Sequence, residues 1–193
     1  MRVMDCIVIV QSNIELHSER ATANRSDGHD SRNHFLRSPR HLAGTMPARV
    51  SPRFGMTPEH ARIVQRTWIM VLPVKDTTAA LFYERLFAID PSLRALFRGD
   101  MRAQGDKLMQ LMDAVVNGLT RLEQFLPAVQ DLGRRHVHYG VKDHHYGAVG
   151  TAMLWALSKA LGSEFTPEVK DAWATVYGLL ARTMREAAAA EKT

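Results

Sequence analysis

The 193-residue chain has one cysteine, Cys6. It therefore has no disulfide framework and no thiolate metal cluster to organise it, which fits a reducing cytoplasm. No apolar run approaches the roughly 18 residues a membrane span requires. The short run Cys6-Ile-Val-Ile-Val10 follows Asp5, where a secretory signal would carry a basic flank and a longer apolar core. A glycine-rich phosphate loop, a His-Glu-x-x-His pair and a two-carboxylate metal motif are all missing, so those chemistries have nothing to stand on. No stretch alternates with period two for long enough to make a strand. The fold class is all-α.

Charge is present but unevenly spread. The net charge is +5. Residues 1–55 hold eight Arg and no Lys against five acids, whereas residues 56–193 hold 17 basic and 15 acidic residues. The folding part is close to neutral, so the pI near 9.7 is a weak argument for nucleic acid. Neither nucleic acid nor a membrane is expected as a partner.

Residues 1–55 are Ser-, Arg-, His-, Asn- and Asp-rich and show neither helical nor strand periodicity. Such a segment cannot bury enough apolar surface to offset its ordering entropy, so a disordered extension is expected. An upstream start codon with Met56 as the working start gives the same pattern. The domain is expected to span 56–193. Thr57-Pro58-Glu59 and Thr166-Pro167-Glu168 are helix starts, with a capping hydroxyl, a proline at the first helical position and an acid at the positive end of the dipole. Between them the apolar spacing predicts helices to about Leu72, from about Thr77 to Phe87, a short one from Pro91 to Phe97, and a long one from about Arg102 to Leu122. Pro127 is expected to open the next, and Asp143–Leu161 follows, with a last helix reaching about Ala188.

Within this frame His136 stands out. Helical steps back from it reach Leu132 and Val129, so the imidazole lies on an apolar stripe. That position suits a buried metal ligand whose other N–H is given to the carbonyl one turn back, at Leu132. Taken alone, an imidazole on an apolar face is more often an ordinary core histidine. His145 shares a face with Val149 and Ala152 and is the rival ligand. Gly140-Val141 breaks the helix after His136.

Several fragments carry a resemblance when taken together: Leu81-Phe-Tyr-Glu-Arg-Leu-Phe87 with Pro91 and Leu96-Phe97; Leu108-Met-Gln-Leu-Met-Asp113-Ala-Val-Val116; Leu132-Gly-Arg-Arg-His136; His145-Tyr146; and Phe165-Thr-Pro167 with Ala172-Trp173 and Tyr177-Gly178. In order and spacing, residues from about Met56 to Ala188 resemble a globin. The similarity is to bacterial single-domain haemoglobins related to the haem domain of flavohaemoproteins and, more distantly, to neuroglobin. The resemblance implies a globin fold with helices packed around a pocket for haem b.

It also implies roles. His136 matches the proximal iron ligand, and Tyr83, Gln104 and Leu108 match the distal residues that face a bound gas. Phe97 matches the aromatic on the porphyrin face. Leu132, Val141, Tyr146 and Val149 match the proximal lining, and Lys107 a partner for a haem propionate. Gln104 stands where neuroglobin-like proteins carry a histidine, so an open sixth site is expected in the ferrous protein. The glutamate that supports the proximal imidazole in flavohaemoproteins falls on Ala188, with Glu191 three residues further.

The expected function is reversible binding of O₂, and of CO and NO, for oxygen binding or transport. The alternative is nitric oxide dioxygenation with a separate flavin or NAD(P)H reductase, since no reductase domain follows before Thr193. A gas sensor would carry an output domain, for which residues 1–55 are too short and too polar. A cytoplasmic monomer or weak homodimer is expected.

Overall fold

A computed structural model describes residues 55–97 and 99–191. The extension expected over residues 1–55 lies outside them, apart from Gly55. Among the described residues there are six α-helices and no strand, in agreement with the all-α expectation.

Helix α1 is Pro58–Val71. The Thr57 hydroxyl accepts from the His60 N–H at 3.1 Å, while His60 Nδ1 accepts from the Thr57 N–H at 3.4 Å. Two of the helix's orphan donors are thus satisfied reciprocally. A 3₁₀ turn, Leu72–Val74, leads into α2, Lys75–Ile89. Asp90 then caps the 3₁₀ stretch Pro91–Leu96 by accepting from the Ser92 N–H at 3.0 Å. Helix α3 is Met101–Gly118, and a 3₁₀ turn, Leu119–Arg121, joins it to α4, Leu122–His138.

The proline expectation needs correction here. Pro127 lies inside α4 rather than at its start. It removes a single i to i−4 donor, and the apolar face formed by Leu122, Ala128, Val129 and Leu132 holds the helix together across the gap. The preceding helix correspondingly ends at Gly118 rather than near Leu122.

Helix α4 closes with the Tyr139 and Val141 N–H groups both returning to the His136 carbonyl, at 3.3 and 3.0 Å. Gly140 follows the helix with φ +76°, a left-handed conformation that glycine adopts at least cost. Helix α5 is Asp143–Leu161, and α6 is Pro167–Ala190, capped by Thr166.

The larger core cluster joins α1, α3, α5 and α6 around Trp68 and Trp173, whose rings lie 6.2 Å apart. The Trp173 indole donates to the Thr67 hydroxyl at 3.0 Å, so its one polar atom is satisfied inside the core. A second cluster packs Phe82, Leu86 and Phe87 of α2 against Ala152 and Ala156 of α5. Helices α4 and α6 are in close contact. Their approach is set at Gly133, where a methyl group would collide with the backbone of Met184. No helix among the described residues is long and apolar enough to cross a membrane.

Candidate ligand-binding cavity

The helices leave a cavity of about 220 Å³ between them. Tyr83 from α2 and Phe97 beyond the 3₁₀ stretch line it, with Leu108 from α3, Leu132 and His136 from α4, Val141, and Tyr146 and Val149 from α5. Eight of the ten residues singled out in the sequence therefore meet in one space. The other two, Gln104 and Lys107, do not line it. Gln104 is buried on α3, and Lys107 is half-buried beside Leu108.

His136 is positioned by its own helix. Its Nδ1 lies 2.7 Å from the Leu132 carbonyl. A carbonyl only accepts, so Nδ1 carries the proton and Nε2 is left with a lone pair. Desolvation among apolar neighbours pushes the imidazole below its ordinary pKa, with the bond to Leu132 opposing that shift. The ring is neutral at physiological pH. The Tyr146 ring is near-parallel to it, 20° from coplanar with centroids 6.1 Å apart. The Tyr177 hydroxyl donates to the Tyr146 main-chain carbonyl, which ties α6 to the backbone of α5 at this point.

On the other side Tyr83 is 5% exposed and sits in an aromatic cluster, 5.0 Å from Phe82 and 5.4 Å from Phe97 between ring centroids. Burial pushes its hydroxyl pKa up, so it stays a proton donor. It donates to the Gln104 main-chain carbonyl at 3.3 Å.

The rival histidine is engaged differently. His145 also reaches the wall, but its Nδ1 accepts from the Lys142 N–H at 3.0 Å, and its Nε2 lies 3.9 Å from the Asp90 carboxylate. That arrangement belongs to the start of α5.

Phe125, Tyr177 and Met184 also line the cavity without having been assigned to it from sequence. Phe125 lies upstream of Pro127, in the turn that the proline reading left out of the helix. Tyr177 and Met184 sit on the apolar stripe of α6, where nothing in a single sequence separates cavity wall from ordinary core.

A flat, largely apolar prosthetic group with one metal needs apolar walls and one neutral nitrogen donor. The cavity supplies both: leucine, valine and phenylalanine faces, and an imidazole whose Nδ1–H is already committed. An all-α chain with such a cavity fits the class of helical haem-pocket proteins.

Comparison with known proteins identifies the family. The globin family profile matches residues 80–184. The flavohemoprotein of Rhodopirellula baltica is 32% identical over 123 residues, covering 62% of this chain and 30% of that protein. That of Bacillus subtilis is 30% identical over 109 residues, covering 55% and 27%. In structure the chain is similar to the flavohemoglobin from Malassezia yamatoensis, determined with bound FAD and heme. That likeness has a TM-score of 0.59 at 20% identity and covers 70% of this chain and 37% of that one.

The chain belongs to the globin family, and haem is the cofactor that membership assigns. It spans about a third of the length of the curated relatives it matches.

Proposed function

We propose that this globin binds O₂ reversibly, and CO and NO at the same position, on haem b held by His136. The domain in this reading is 56–193, with Met56 packed in the main core at 1% exposure. Haem bound in the cavity supplies an iron with reversible affinity for diatomic ligands.

The observation that carries the reading is the His136–Leu132 bond. The Nδ1 proton stays on the ring and is held by a neutral carbonyl. At the position where flavohaemoproteins place a supporting glutamate, this chain has Ala188. A carboxylate partner would add electron density to the imidazole and favour redox chemistry; a carbonyl adds less. A carrier follows more naturally than a peroxidase-like centre.

The distal residues act by donating protons and excluding water. Tyr83 offers its hydroxyl; at 3.3 Å its bond to the Gln104 carbonyl is near the long limit, so exchanging it for a better acceptor costs little. Gln104, one helical turn before Leu108 on α3, does not line the cavity at rest and serves as the second donor by turning its amide toward the ligand. Leu108 and Phe97 keep the ligand space apolar, and Leu132, Val141, Tyr146 and Val149 form the proximal wall. Lys107 is assigned to a propionate.

A second reading, nitric oxide dioxygenation, is favoured by the relatives being flavohemoproteins. It requires a flavin or NAD(P)H reductase as the source of electrons. The two separate on NO consumption measured with an added reductase. A carrier removes NO only once per oxygenated protein. Sustained turnover lowered by Tyr83→Phe would replace the carrier reading with the enzymatic one.

A further inference from the structure

Away from the residues assigned to haem, the end of α2 and the start of α5 bring two imidazoles and a carboxylate together. His144 Nε2 lies 3.8 Å from Asp90 Oδ2, and His145 Nε2 lies 3.9 Å from the same oxygen. One ligand atom from each of the three residues falls within 4.8 Å of the others. We propose that Asp90, His144 and His145 form a binding site for a divalent transition metal of the zinc class.

The donor set suits such an ion. Two nitrogens and one oxygen match the borderline character of zinc, and three protein ligands leave a fourth tetrahedral position for water. A cation at the centre of the three atoms would lie within roughly 2.5 Å of each, a few tenths of an ångström beyond a normal bond. The remaining closure falls to His144, whose side chain is 65% exposed and free to swing.

The supporting contacts are already built. Asp90 Oδ1 accepts from the Ser92 N–H at 3.0 Å and from the Ser92 hydroxyl at 2.6 Å, which fixes the carboxylate and leaves Oδ2 turned toward the imidazoles. The side chain of His145 is 7% exposed, so little rotamer entropy remains to be lost there. Asp143, the acid immediately before His144, is paired with Arg185 at 2.8 Å and does not compete.

One local bond must change. His145 Nδ1 accepts from the Lys142 N–H, so the resting tautomer carries its proton on Nε2. Metal binding moves the ring proton to Nδ1 and frees the Nε2 lone pair. The Lys142 N–H and the new Nδ1–H are then both donors, so the chain before α5 must shift enough to admit a water that accepts from them, at a position where Lys142 is exposed. The bound ion would clip α2 to α5, one residue before the Tyr146 ring that lies alongside His136.

The test is equilibrium dialysis of the full-length haem-loaded protein against zinc chloride, compared with His144→Ala and Asp90→Asn. Histidines elsewhere in the chain also take up zinc, so the readout is the difference in stoichiometry. Each variant is expected to lose one equivalent bound in the micromolar range, with an unchanged Soret band. Zinc should raise the melting temperature of the parent and not of His144→Ala. Equal stoichiometry and equal melting shifts in parent and variants would overturn the site. Should a variant fail to fold, diethyl pyrocarbonate labelling of the parent decides: zinc should protect the exposed His144, and labelling of His144 that zinc leaves unchanged overturns the proposal.

Discussion

The Tyr83 hydroxyl donates to the main-chain carbonyl of Gln104 at 3.3 Å, which joins α2 to α3 at the edge of the cavity. This contact holds the donor in place before any ligand arrives. A hydrogen bond to a ligand that draws charge is worth roughly 1.5–3 kcal/mol, or about one to two powers of ten in release rate. Tyr83→Phe is expected to speed O₂ dissociation from the haem-loaded protein about tenfold, near the lower bound because the hydroxyl gives up an existing partner. Stopped-flow displacement of O₂ by CO measures it, and an unchanged rate removes Tyr83 from the ligand's surroundings.

The close approach of α4 and α6 predicts a sharp steric effect. Gly133→Ala places a methyl against the Met184 backbone, which cannot swing away as a side chain can. Such overpacking costs about 1–3 kcal/mol, and a lower melting temperature is expected. Gly147→Ala in the first turns of α5 meets nothing within 4 Å and is the matched control. It should be neutral or slightly stabilising.

Thr67→Val keeps the shape of the side chain and removes the acceptor of the Trp173 indole. The stranded N–H is buried, so a loss of about 1–3 kcal/mol is expected in chemical denaturation. Thr67→Ser keeps the acceptor and should lose less.

In the haem-free chain, burial depresses the pKa of His136 below its unfolded value of about 6.5. Above that pH both states are neutral, and this contribution to stability is fully present. As pH falls below about 6.5 the unfolded chain takes up a proton that the folded chain refuses, so stability is lost progressively down to the depressed pKa. His145 contributes with the same sign. The haem-free protein should therefore destabilise more steeply on acidification than His136→Leu, as read from urea midpoints at several pH values.

Much of this architecture could be read from residue order because it depends on local signals. The Thr57 and Thr166 caps, the Gly140 break and the stripe leading to His136 each act within one or two helical turns. Pro127 misled because a proline is equally compatible with a helix start and with a tolerated interior gap, and packing on α6 decided between them. The cavity walls from Phe125, Tyr177 and Met184 depend on which helices face one another, which a single sequence does not encode locally. The Asp90–His144–His145 cluster was hidden for the same reason, since Asp90 lies more than fifty residues before the two histidines.

The central claim is that haem is held through His136. The most direct measurement is the visible spectrum of the purified protein, oxidised, dithionite-reduced and then exposed to O₂, for the parent and for His136→Ala. The account predicts a Soret band with a single broad ferrous visible band that splits on adding O₂, and loss or misligation of haem in the variant. Normal haem retention and an unchanged spectrum in His136→Ala would contradict it and move the iron ligand elsewhere.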